Sequence, residues 1–170
     1  MLLKASMREK TYNVLFICTG NSARSILSEG LMNHLGKGRF RAYSAGSHPT
    51  GVVSPFALAT LLRYGLPTET FRSKSWDEFS QDGAPQLDFV FTVCDKAAGE
   101  MCPVWPGQPT TAHWGVPDPA ACEGTEAQKQ QAIHDAAITL KRRIELFLSL
   151  PIPKLDAVAL QKAVRDIGQS

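Results

Sequence analysis

A chain of 170 residues, 44% hydrophobic and 20% charged, has the length of one α/β-sized domain and a composition that excludes the disordered class. A net charge of +2, with no block of like charges, excludes nucleic acid or a membrane surface as a partner held by bulk electrostatics. The longest uncharged stretch, Ala42 to Leu62, carries two glycines and two prolines, which excludes a bilayer-spanning helix there.

The segment from Met1 to Met7 has no sustained apolar run of a signal peptide, so the expected location is cytoplasmic. Four cysteines, Cys18, Cys94, Cys102 and Cys122, are too few for a disulfide scaffold. In a reducing compartment such thiols are catalytic, redox-active or simply buried. No C-x-x-C pair is present, so no metal site is expected.

In chain order, Val14-Leu15-Phe16-Ile17 is a compact apolar run that stops at Cys18-Thr19-Gly20-Asn21, the pattern of a buried strand entering a loop. Leu27, Leu31 and Leu35 then recur every four residues, predicting a helix from about Ser25 to Gly36. Phe40 to Ser44 reads as a second strand. Ser54-Pro55 supplies an N-cap and an N1 proline for a helix through Tyr64, ended by Gly65. Leu87 to Val93, interrupted by Asp88, resembles a central parallel strand, and Thr110 to Trp114 a further short one. Ile133, Ala137, Leu140, Ile144 and Phe147 mark a long amphipathic helix ended by Pro151 and Pro153. Leu160, Val164 and Ile167 mark a final short helix. Strands alternating with helices predict right-handed βαβ units and a mostly parallel sheet covered on both faces. No repeat or linker interrupts the pattern, so residues 1–170 read as a single domain.

The most informative segment is Cys18-Thr19-Gly20-Asn21-Ser22-Ala23-Arg24-Ser25. It lies between a strand end and a helix start, where ligands bind in open α/β sheets. Unpaired N–H groups and the positive end of a helix dipole attract an oxyanion there. Gly20 permits unusual backbone angles, Asn21 tolerates the left-handed region, and Arg24 can grip two anion oxygens at once. A cysteine facing this field is favoured as the nucleophilic thiolate. The lysine of a Walker loop is missing, which disfavours a nucleotide.

These residues resemble the active-site loop of the low-molecular-weight protein tyrosine phosphatase superfamily. Thr92-Val93-Cys94-Asp95-Lys96-Ala97, Met101-Cys102-Pro103 and His113-Trp114-Gly115 resemble its arsenate reductase branch, and the similarity runs from about Tyr12 to Leu148. The resemblance implies a three-layer α/β sandwich around a four-stranded sheet. It also implies that Cys18 attacks a bound oxyanion, that Arg24 stabilises it, and that Thr19, Gly20, Asn21, Ser22 and Ala23 supply amides. Ser25 would orient the thiolate. Asp118, in Pro117-Asp118-Pro119, matches the general acid that protonates the departing oxygen.

The same resemblance implies a thiol relay. Cys18 forms an adduct with arsenate, Cys94 attacks Cys18 as arsenite leaves, and Cys102 draws the disulfide outward for thioredoxin to reduce. Seven residues separate Cys94 from Cys102, one more than in many thioredoxin-coupled members, so glutathione with glutaredoxin stays open as the reductant. Ala23 stands where relatives often carry cysteine, a position that contributes its amide. No cofactor is expected, and phosphate or sulfate should bind weakly as arsenate analogues.

Two other readings share the loop. A phosphatase acting on phosphotyrosine or a small phosphoester would use Cys18, Arg24 and Asp118 but leave Cys94 and Cys102 without a task. An oxyanion-sensing module would not need the nucleophile at all. Cys122 reads as incidental, His113 as structural, and Lys141-Arg142-Arg143 as a solvated helix face. Trp76, Trp105 and Trp114 read as packing residues, with Trp105 the one suited to the site rim.

Overall fold

The computed structural model describes residues 10–95, 105, 107–119 and 122–170. Four strands, β1 (Tyr12–Cys18), β2 (Phe40–Gly46), β3 (Phe89–Thr92) and β4 (Thr110–His113), form one sheet in the order β2-β1-β3-β4. Every pairing is parallel, so the α/β architecture expected from the alternating pattern is the observed one. The helices are α1 (Arg24–Leu35), α2 (Pro55–Arg63), α3 (Glu126–Leu148) and α4 (Ala157–Gly168). Among the described residues no helix is long and apolar enough to cross a membrane.

β1 is central and buried on both faces: Val14, Leu15, Phe16 and Ile17 are all fully buried. This is why its sequence is a continuous apolar run instead of an alternating one. On one face, Phe147 of α3 meets Phe40, Phe89 and Phe91 edge-on or tilted, at centroid distances of 5.1, 4.9 and 5.4 Å. Trp114 stacks on Phe91 at 3.9 Å and sends its indole N–H to the Val164 carbonyl of α4. On the other face Tyr43 packs edge-on against Phe79, in a 3-10 turn over Trp76–Phe79. The sheet is thereby sandwiched.

The β3 strand is shorter than the apolar run that announced it. Asp88 interrupts the run for a reason: its carboxylate accepts the Asn13 amide at 2.9 Å and Lys10 Nζ at 2.6 Å, tying the strand start to β1. Ser54 caps α2 through the Ala57 amide, as the Ser-Pro pair predicts. α3 begins two turns before its apolar stripe, because Thr125 and Gln128 form a reciprocal capping box ahead of a polar first stretch.

Candidate active site

Cys18 is the last residue of β1 and is 3% exposed. The loop after it folds back over the end of β2. The carbonyls of Thr19, Gly20 and Ser22 accept the amides of His48, Thr50 and Ser54 at 2.9, 3.0 and 2.9 Å. Ser73 Oγ also donates to the Gly20 carbonyl. With these oxygens committed, and with Ala23 at the N-cap of α1 supplying no side-chain cap, the first-turn N–H groups remain available to an anion.

Asn21 adopts a φ of 45° and organises the loop from within. Its Oδ1 accepts the Lys74 amide at 2.8 Å, and its Nδ2 donates to Ser25 Oγ at 2.8 Å. Ser25 Oγ lies 3.0 Å from Cys18 Sγ. Asn21 Nδ2 fills one acceptor position of the Ser25 hydroxyl, so Ser25 Oγ links Asn21 to the Cys18 sulfur and fixes the side of the loop that sulfur faces. Gly46 closes the back of the loop. A Cβ there would sit 2.5 Å from the Thr19 carbonyl oxygen and 2.9 Å from the Asn21 nitrogen, so only glycine lets β2 approach this closely.

Arg24 opens α1. Its Nη1 donates to the Val116 carbonyl at 2.9 Å, and its Nη2 lies 3.6 Å from Asp118 Oδ1. The segment from Val116 to Asp118 is therefore docked against the loop that follows Cys18. Cys94 arrives from the next strand, 2% exposed, and its Sγ accepts the Thr19 amide at 3.3 Å. Cys18, Thr19, Gly20, Ser22, Ala23, Arg24, Cys94 and Asp118 line one cavity of about 540 Å³, with Thr50, Asp95, Val116 and Pro117 completing its wall. Asn21 and Ser25 support the loop from behind. Cys102 lies outside the described residues.

Beside Cys94, His113 bridges two elements, with Nδ1 2.8 Å from Thr92 Oγ1 and Nε2 2.7 Å from Asp95 Oδ1. Below the anion loop, Glu29 accepts the Ser44 hydroxyl and faces Lys74 at 3.9 Å. Burial pushes the Glu29 carboxyl above its ordinary value and the Lys74 amine below its own.

Two sequence expectations need correction. Arg143 is not on a solvated face: it is 7% exposed, and its Nη1 donates to the carbonyls of Trp114 and Gly115 at 2.8 and 2.9 Å. The signal was available, since Arg143 stands three residues after Leu140 and four before Phe147, inside the apolar stripe. Trp105 does not reach the cavity rim. It is 7% exposed and packs edge-on against Trp76, with centroids 6.3 Å apart. Cys122 is half-buried and lies outside this cavity, near Gln128. Among the described residues no group of three or more His, Cys, Asp or Glu side chains could hold a metal ion.

The family model for low molecular weight phosphotyrosine protein phosphatases matches residues 13–148. The chain belongs to that family. Members similar to this chain include proteins named arsenate reductase from Halalkalibacterium halodurans, 33% identical over 79% of this chain and 93% of the relative, and from Bacillus licheniformis, 35% identical over 83% and 96%. Of the solved structures, an arsenate reductase in the phosphate binding state matches with a TM-score of 0.63 and 25% identity, covering 81% of this chain and 97% of its own. A low molecular weight protein tyrosine phosphatase from T. tengcongensis matches with a TM-score of 0.59 and 26% identity, over 82% and 99%. The matches to the two proteins named arsenate reductase thus cover nearly the whole length of each relative.

Proposed function

We propose that this family member reduces arsenate to arsenite. The observation that carries the reading is the second thiol: Cys94 Sγ is held by the first amide of the anion loop, 3.3 Å from Thr19 N, on the wall of the cavity that Cys18 floors. Hydrolysis of an ester needs one sulfur, whereas reduction of a bound ion by two electrons needs two. The relatives named arsenate reductase support the same choice.

The steps follow from the chemistry of the groups. The Cys18 thiolate attacks arsenic, Asp118 gives a proton to the departing hydroxyl, and water leaves. Arg24 and the loop amides hold the remaining oxygens. Cys94, as thiolate, attacks Cys18 Sγ. The sulfur–arsenic bond breaks with its electron pair left on arsenic, which departs as arsenite, while the two sulfurs are oxidised to a disulfide. Cys102 then attacks Cys94 Sγ and expels the Cys18 thiolate. A dithiol of the thioredoxin type, or glutathione with glutaredoxin, reduces the outward bridge. Residues 1–170 act as one unit in this cycle, and a reducing cytoplasm suits its resting thiols.

A phosphoester hydrolase is the second reading, favoured by the likeness to the T. tengcongensis phosphatase. Against it, no aromatic side chain is found among the described residues lining the cavity, so an aryl ester would have no stacking wall. Cys94→Ser separates the two. On the reductase reading, arsenate-dependent consumption of reductant disappears while any weak hydrolysis of p-nitrophenyl phosphate survives. Retention of arsenate turnover by Cys94→Ser would overturn it.

A further inference from the structure

Three successive carbonyls of the acid loop are gripped by guanidinium groups. Arg143 Nη1 takes those of Trp114 and Gly115 at 2.8 and 2.9 Å, and Arg24 Nη1 takes that of Val116 at 2.9 Å. Arg143 reaches this loop from inside α3, and its Nη2 donates to the Ser170 carbonyl at 3.4 Å. Its Nε is buried without a hydrogen-bond partner, and no Asp or Glu side chain pairs with it among the described residues. A buried cation satisfied only by main-chain oxygens is an expensive way to hold a helix in place, since an apolar side chain would pack there at less cost. The same backbone segment is fixed on its other side by β3, where Trp114 N and Val116 N donate to the Thr92 and Val93 carbonyls at 2.7 and 3.0 Å. The loop therefore hangs between the strand that delivers Cys94 and the helix that carries Arg143.

We propose that Arg143 is a positioning residue for the reaction: by clamping the Trp114 and Gly115 carbonyls it sets where Val116 anchors Arg24 and where Asp118, two residues further on, presents its carboxyl. The inference rests on the reading of Asp118 as proton donor given above. The planar guanidinium serves both ends of the clamp, with Nη1 on the Trp114 and Gly115 carbonyls while Nη2 reaches Ser170 from the same buried stem. Lysine keeps the charge and loses the fork. Glutamine keeps a planar amide donor and loses the charge and the reach.

The test uses the full chain, pre-reduced and in excess over arsenate, so that the single-turnover rate of arsenite formation is separated from recycling by the reductant. Arg143→Lys and Arg143→Gln are each made alone and combined with Asp118→Asn, and the dissociation constant for inorganic phosphate is measured alongside. Arg143→Lys is expected to slow the single turnover about tenfold or more, the scale of a small misplacement of a reacting group. In the Asp118→Asn background the same change should cost less than about twofold, because residues that act through one another are not additive. The phosphate constant should move far less than the rate. If Arg143→Lys slows both backgrounds equally, or lowers thermal stability with the rate intact, Arg143 is only structural and the proposal falls. It falls also if neither variant folds. If Asp118→Asn leaves the wild-type rate unchanged, the fault lies with the reading of Asp118 and not with the clamp, a failure the single variants distinguish.

Discussion

The backbone N–H of Thr19 donates to the sulfur of Cys94 across 3.3 Å, so the first amide after Cys18, at the end of β1, rests on the thiol that follows β3. Adjacent parallel strands make this possible. β1 and β3 pair from Val14 with Phe89 to Ile17 with Thr92, and chains leaving the same edge of a sheet stay close for a residue or two. Two sulfurs with separate positions in the sequence are thereby delivered to one cavity.

Arg24 lines the cavity, with Nη1 bound to the Val116 carbonyl and Nη2 3.6 Å from Asp118. Arg24→Lys keeps the charge but not the paired donors. Isothermal titration with inorganic phosphate should show binding weakened about 10- to 100-fold, the scale of one charge-assisted hydrogen bond or slightly more. Unchanged affinity would mean that the guanidinium serves only to dock the loop.

Gly46 tests the seat of the anion loop. Its closest neighbours across the gap are backbone atoms, Thr19 O and Asn21 N, which cannot swing aside as a side-chain tip can. Gly46→Ala should destabilise the fold by about 1–3 kcal/mol, as overpacking does. It should also weaken phosphate binding by displacing the loop. Urea unfolding and phosphate titration of the same sample measure both effects, and a variant altered in stability alone would show that the loop tolerates the shift.

The strand, loop and helix that frame Cys18 were legible in the sequence because each is encoded locally. An apolar run, a Gly-Asn break and leucines at helical spacing are all contained in 14–35. Asp118 and Cys94 were legible by resemblance, and their meeting place follows from parallel topology. What stayed hidden depends on contacts between distant segments. The clamp of Arg143 on Trp114 crosses 29 positions, and a Lys-Arg-Arg run reads as solvent-facing until the phase of its helix is checked. Gly46 looks like any strand-ending glycine, since the need for it lies in Thr19 and Asn21. Trp105 reads as a packing residue and is one, but nothing near it in the chain names Trp76 as its partner.

The Glu29–Lys74 pair beneath the loop makes a prediction about pH. Burial, the largest cause, raises Glu29 above 4.5, so the folded protein binds this proton more tightly than the unfolded chain. That stabilising contribution is complete below pH 4.5 and is lost as pH rises through the higher folded value. Glu29→Gln has no such proton to lose. Thermal melts should therefore show wild type gaining on Glu29→Gln in acid and giving up that margin towards neutral pH. A margin that stays constant would mean that Lys74 and Ser44 fully offset the burial of the carboxylate.

The most direct test of the central claim is to trap the first disulfide. Cys102→Ser, pre-reduced and given one equivalent of arsenate without a reductant, should release arsenite and accumulate a single bridge. Peptide mass mapping should find it between Cys18 and Cys94. A bridge that includes Cys122, or arsenite release with both Cys18 and Cys94 still free, would contradict the account.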